Sequence, residues 1–152
     1  MRILPTKIND LDKLSEIEQS LFTSDIISRK QFSYFLKTSK SSLMLTAKEN
    51  GEVAGYILLL FKKNSGWCRF YSLAVAKEFQ SRGLGKALML KAIAYAKAKK
   101  LKGITLEVHS KDKQVYDFYC RLGFTDKIFM PKFYEDNSDA MRMIYKFNNQ
   151  KG

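Results

Sequence analysis

Cysteine and histidine are almost missing from this chain. The two cysteines, Cys68 and Cys120, and the lone histidine, His109, make no metal-binding spacing. Both thiols are expected to be free, as they would be in a reducing cytoplasm. No apolar run approaches the roughly 20 residues of a membrane span, and the N-terminus lacks a basic-then-apolar export signal, so no membrane partner is expected. Repeats, low-complexity tracts and linkers are absent too. At 152 residues the chain therefore reads as one domain, residues 1–152, with enough length for its own core. Acidic residues are few, 15 against 27 basic ones, for a net charge of +12. The surplus lies largely in Lys97, Lys99, Lys100, Lys102, Lys111, Lys113, Lys127 and Lys132. Such spread lysines read as a solvated face, or as attraction to acidic partners and loose contact with RNA. Nucleic acid is not the expected partner, and monomer and homodimer both stay open.

Pattern supplies the elements. Residues 1–4 read as a strand. Asn9 or Asp10 can cap a helix with Leu11, Leu14, Ile17 and Leu21 at helical spacing. Ser28 and Gln31 form a capping box ahead of Phe32, Phe35 and Leu36. Residues 43–48 and 53–61 are β-rich and meet at Asn50-Gly51, a two-residue hairpin signal. Strands follow at 67–75, 104–108, 125–130 and 140–147. Helices are expected at 87–100, ended by Gly103, and at 113–122, ended by Gly123. Strands grouped around two β–α units indicate a layered α/β fold with a mixed, mostly antiparallel sheet.

Between strand 67–75 and the next helix lies Gln80-Ser81-Arg82-Gly83-Leu84-Gly85-Lys86-Ala87. A strand, a glycine turn and a helix start together make an anion site, because unpaired amides and the helix dipole both favour negative charge. Arg82 and Lys86 add two full charges, so a phosphate-bearing ligand is expected. A Walker A loop would need Gly at Gln80 and Ser or Thr at Ala87. A dinucleotide fingerprint would need a small residue at Leu88. What is left is a Q/R-x-x-G-x-G/A turn.

In this turn, in Leu73-Ala74-Val75 before it, and in Leu106-Glu107-Val108 and Tyr119-Cys120-Arg121-Leu122-Gly123-Phe124 after it, the chain resembles the GCN5-related N-acetyltransferases. Its ending resembles most the ribosomal-protein-alanine and protein N-terminal acetyltransferases, including the loop 133–141. The resemblance implies a sheet of about seven strands flanked by about four helices. It also implies an acetyl-CoA-dependent transfer of acetyl to a primary amine, by direct attack. The acceptor would be the α-amine of a protein or peptide. A small amine (polyamine or aminoglycoside) and a non-catalytic acyl-CoA-binding or RNA-associated module are the alternatives.

On that footing the turn, Gln80 to Ala87, would hold the coenzyme A diphosphate. The backbone of Leu73, Ala74 and Val75 would pair with the pantetheine arm, the Val75 amide polarising the carbonyl. Glu107, a carboxylate in an otherwise apolar strand, is the expected base; otherwise it is a sheet-face Glu paired with a lysine. His109, two residues on, is the second candidate base. Tyr119 is the expected acid toward the leaving thiolate. Tyr116, one turn earlier, could reach the cofactor or pack. Asp112 stands where the family commonly has Asn and caps the helix, which puts a negative charge close to a polyanionic ligand. The acceptor would touch Glu18, Phe22, Tyr134 and Asp139. The Pro-Trp pair of the bacterial ribosomal-alanine enzymes is replaced by Ser24-Asp25. No metal site is expected.

Overall fold

The computed structural model describes residues 1–39, 41–62 and 64–147. Seven strands form one sheet: β1 (Arg2–Pro5), β2 (Ser42–Glu49), β3 (Glu52–Phe61), β4 (Trp67–Val75), β5 (Gly103–His109), β6 (Thr125–Met130) and β7 (Ala140–Lys146). Their order is β1-β2-β3-β4-β5-β7-β6, and every neighbouring pair is antiparallel except β4 with β5. Four α-helices flank it: α1 (Leu11–Leu21), α2 (Arg29–Lys37), α3 (Leu84–Ala98) and α4 (Lys113–Leu122). Burial of consecutive residues from Val53 to Leu59 on β3 shows helices covering both faces of the sheet. The α/β layered expectation is met.

Local chemistry explains the boundaries. Asn50 and Gly51 both adopt positive φ, 51° and 81°, as the primed hairpin turn between β2 and β3 requires. Ser28 and Gln31 cap α2 reciprocally, as expected. Asp10, by contrast, does not cap α1. Its carboxylate accepts from the Lys7 amide at 2.9 Å and pairs with Lys48, so it closes the 3₁₀ turn Ile8–Asp10 instead. Helix α3 begins three residues earlier than periodicity suggested, because Gly83 takes a left-handed φ of 82° and serves as N-cap while Leu84 is already buried. Nor does Gly103 end that helix. The chain turns at Lys100 (φ 60°), and Gly103 opens β5, where a Cβ would lie 2.4 Å from the Tyr145 carbonyl oxygen.

The sheet is tight where β3 meets β4. A Cβ on Gly55 would sit 2.6 Å from the Ala74 carbonyl oxygen and 3.3 Å from Val75 Cγ2, and backbone cannot yield as a flexible side chain can. We expect Gly55→Ala to lower the unfolding free energy by about 2 kcal/mol, by the cost of overpacking. Urea denaturation measures this directly.

Candidate active site

The parallel pair β4–β5 is short. It holds only at Trp67↔Gly103, Cys68↔Ile104 and Arg69↔Thr105, after which the strands part. Tyr71 is the extra residue of a bulge on β4, opposite the Leu58–Leu59 step of β3, and the bulge bends β4 away at the level of the parting. The resulting fork holds a cavity of about 260 Å³, lined from β4 by Phe70 to Leu73 and from β5 by Leu106 to His109. Glu18, Phe22, Asp112, Tyr119 and Tyr134 also border it. Seven of the residues singled out in the sequence thus converge there with Leu73: Glu18, Phe22, Glu107, His109, Asp112, Tyr119 and Tyr134.

Backbone direction gives the fork its polarity. The Ala76 amide donates to the Ala54 carbonyl on β3, so the Val75 amide, one residue earlier on an alternating strand, is directed away from β3 toward the fork. Beyond Val75, the first intrahelical bond of α3 runs from the Ala87 amide to the Gly83 carbonyl. The amides of Leu84, Gly85 and Lys86 come before it and are left for an outside acceptor, with no side chain capping them. No Cβ contact lies within 4 Å of Gly83, and Ser81 also takes a positive φ (67°), so the turn is open. Lys86 is exposed. Gln80 and Arg82 are exposed too, but their side chains fold back on the chain: the Gln80 amide donates to the Val75 carbonyl at 2.9 Å, while the Arg82 guanidinium bonds the Glu78 carbonyl and covers Phe79. This geometry fits a diphosphate bound by backbone amides, with one lysine of opposite charge beside it.

At the other end, Glu18 is buried. Its carboxylate accepts from the Ile27 amide at 2.8 Å, from the Tyr56 hydroxyl and from Ser72. Burial raises its pKa above the usual carboxylate value, outweighing the three hydrogen bonds that lower it. The rim above it is tied. The Asp25 amide donates to Glu135 at 2.7 Å and the Glu135 amide returns a bond to Asp25 at 3.2 Å, which joins the α1–α2 segment to the β6–β7 segment.

Glu107 has partners, but they are arginines on the neighbouring strands rather than a lysine. Oε1 accepts from Arg69 Nε and a terminal nitrogen at 3.0 and 2.8 Å, and Oε2 accepts from Arg142 Nε at 2.7 Å. Three of its roughly four acceptor positions are therefore taken. Tyr119 is buried, and loss of hydration pushes its phenol well above the ordinary value, with Tyr134 adding to the rise. Tyr134 stacks on His109 with ring centres 3.8 Å apart, and its own phenol is pushed up to about 12, chiefly by burial.

One expectation is corrected. Asp139 does not border the fork cavity. Its Oδ1 accepts from the Lys132 amide at 2.9 Å and closes the β6–β7 loop. Of the two readings for Tyr116, packing holds: it lies against the core and does not line the fork cavity, and its hydroxyl donates to Asp126 at 2.6 Å. Asp112 keeps its capping role, accepting from the Val115 amide at 3.2 Å while also lining the cavity.

The family model described as the Acetyltransferase (GNAT) family matches residues 10–124. The chain belongs to this family. Its members are N-acetyltransferases that use acetyl-CoA, and the chain is accordingly an enzyme acetylating an amine. It is 34% identical over 145 residues to an uncharacterized N-acetyltransferase of Methanocaldococcus jannaschii, covering 94% of this chain and 90% of that one. A Bacillus subtilis protein named provisionally as a ribosomal protein bS18-alanine N-acetyltransferase is 25% identical over 143 residues, 93% of each chain. The crystal structure of the Escherichia coli ribosomal-protein-S18-alanine N-acetyltransferase has the same fold, with TM-score 0.86 and 22% identity over 99% of this chain and 96% of that one.

Sequence reasoning did not find Arg69, Arg142, Tyr56, Ser72 or Ser138, all of which hold site residues through long-range contacts. The Glu18 cluster carries a pH signature. Because the folded state holds the Glu18 proton more tightly than the unfolded one, stability falls as pH rises from the ordinary carboxylate value of about 4.5 through the raised folded value. Glu18→Gln removes that contribution. The Tm of the variant should therefore gain on that of wild type across this window, read by thermal denaturation at stepped pH.

Proposed function

We propose that the chain transfers acetyl from acetyl-CoA to the α-amine of a protein or peptide. The supporting observation is the fork itself, a cavity between β4 and β5 bordered by Glu18, Phe22, Tyr119 and Tyr134, with the turn of unpaired amides following β4 in the chain. The names of relatives acting on ribosomal-protein alanine point the same way.

The charge in the cavity also favours an α-amine. Glu18 and Glu107 both spend their acceptor capacity on protein donors, so neither offers a free anion to a polycation. Freeing an α-amine with pKa near 8 at pH 7 costs about 1.4 kcal/mol, against roughly 4.6 for a lysine near 10.4. Asp25 and Asp112 also border the cavity, each carboxylate bonded to a backbone amide, so the preference rests on the easier proton.

Bound acetyl-CoA supplies the thioester carbon that the amine nitrogen attacks. The amides of Leu84, Gly85 and Lys86 hold the diphosphate, with Gly83 and Gly85 leaving room and the Lys86 charge close by. Gln80, Ser81, Arg82 and Ala87 shape the turn, and the freed edge of Leu73, Ala74 and Val75 takes the pantetheine arm. The Val75 amide stabilises negative charge on the carbonyl oxygen. Tyr119 donates its proton to the departing sulfur and is reprotonated at the expense of the second proton on the nitrogen. Its raised pKa keeps the phenol protonated at neutral pH. The dry setting that disfavours a phenolate equally disfavours a bare thiolate, so transfer stays within reach.

Tyr119→Phe should lower kcat by about 100-fold, the lower end for lost general-acid catalysis, with coenzyme A affinity unchanged. Thiol release is measured with peptides bearing a free N-terminus, with Nα-blocked lysine peptides and with spermidine. Preference for either of the last two overturns the α-amine reading. Absence of thermal stabilisation by coenzyme A at high concentration overturns acetyl transfer altogether.

A further inference from the structure

The catalytic cycle still needs a group to receive the first proton of the acceptor ammonium. Glu107, the expected choice, is bound by guanidinium donors from both flanking strands. Its carboxylate side chain is 6% exposed and links β4, β5 and β7 across the base of the fork.

His109 is differently placed. Its ring borders the fork cavity on one side and, on the other, a smaller hollow of about 180 Å³ lined by Lys111, Asn137 and Ser138. Its Nδ1 lies 3.2 Å from Ser138 Oγ, and Ser138 Oγ lies 2.5 Å from Asp136 Oδ1. An ionised carboxylate only accepts, so the Ser138 hydroxyl proton must point to Asp136, and Ser138 Oγ must accept from Nδ1–H. The tautomer follows: the proton is on Nδ1 and the lone pair on Nε2. Stacking on Tyr134 fixes the ring plane, and no described residue hydrogen-bonds Nε2.

Other charged groups near the ring are engaged elsewhere. Glu107, on the same strand face, is matched by Arg69 and Arg142. Asp139 holds the Lys132 amide, Asp112 the Val115 amide, and Asp25 the Glu135 amide. Lys111 contributes one positive charge to the outer hollow. Asp136 alone is connected to the imidazole by hydrogen bonds, and it also accepts the Ser138 amide at 2.9 Å. Those two bonds to Ser138, before the attraction of His109, hold its carboxyl below the usual range, so it stays anionic.

We propose that His109 is the proton acceptor for the incoming amine, oriented by a Ser138–Asp136 relay, and that Glu107 is a positioning anion that fixes the fork. This assignment rests on the acetyl-transfer reading above. The ammonium N–H bond breaks toward Nε2 and the nitrogen keeps the electron pair with which it attacks the thioester. The imidazolium so formed is stabilised through Ser138 by Asp136 and releases its proton to solvent through the outer hollow. Tyr119 separately serves the sulfur. The net reaction is ammonium plus thioester to amide, thiol and one proton.

His109 is the single histidine of the chain, so its imidazole signals in the untagged protein need no assignment by elimination. Nuclear magnetic resonance should show the Nδ1–H tautomer. Asp136→Asn and Ser138→Ala should each lower the imidazole titration midpoint by about 0.5–1 pH unit, a three- to tenfold loss of proton affinity, because an anion and its relay no longer favour the charged ring. In turnover with acetyl-CoA and N-terminally free peptides, the acid limb of kcat/KM should move with that midpoint. His109→Gln should leave only the acid limb of the peptide amine itself, near 8, and lower kcat about 100-fold, leaving KM for acetyl-CoA unchanged. An Nε2–H tautomer, a midpoint unmoved in both relay variants, or an acid limb unmoved by His109→Gln overturns the relay. A wild-type protein unaffected by coenzyme A in thermal denaturation overturns the parent reading instead, and the two failures look different.

Discussion

Everything at the site depends on where β4 and β5 let go of each other. A parallel pair normally continues until its strands end, since each lost ladder bond leaves a buried amide or carbonyl to be satisfied otherwise. Here the pairing stops at Arg69↔Thr105 while both strands run on. The Tyr71 bulge supplies the bend. Arg69, at the last paired position, grips Glu107, which is also gripped from β7 by Arg142. The clamp keeps the base of the fork closed while the tips stand apart. A neutral residue at 107 would leave two half-buried guanidinium groups facing each other without a counterion.

The same geometry divides labour between backbone and side chain. At the glycine turn, free hydrogen-bonding capacity lies in amides that secondary structure leaves unpaired at the start of α3. In the fork it lies in side chains, carried by α1, β5 and the β6–β7 loop, whose contacts join segments 9 to 38 residues apart. Backbone recognition demands little of the sequence beyond glycines at two positions. Side-chain recognition demands particular residues at distant sites, and that end is the one able to differ between relatives that share the fold.

This division also explains what could be read from the sequence. The turn 80–87, the strands, the hairpin at Asn50-Gly51 and the caps at Ser28 and Asp112 are local, and local chemistry displays them. Glu18, Phe22, Tyr119 and Tyr134 were chosen through resemblance, and they do meet in one cavity. The misplacements are long-range or competitive. Asp10 had two amides within reach and took that of Lys7; Asp139 turned to Lys132 in its own loop. The arginines around Glu107 looked like two more charges in a basic chain, since no spacing links residue 69 to 107 or 107 to 142. Ser138 and Asp136 lie in the loop 133–141, and no spacing links them to residue 109.

The crossed bonds between Asp25 and Glu135 have a consequence for entry. Each carboxylate caps the other segment's backbone, so neither segment can swing outward without stripping both of its partner. The two behave as one hinged collar, held or released together. An acceptor amine that threads the closed collar meets walls already ordered, and spends little binding free energy on freezing them. One that must spread it loses both bonds at once. Bulk immediately behind the reactive nitrogen is therefore penalised in a step rather than by degrees.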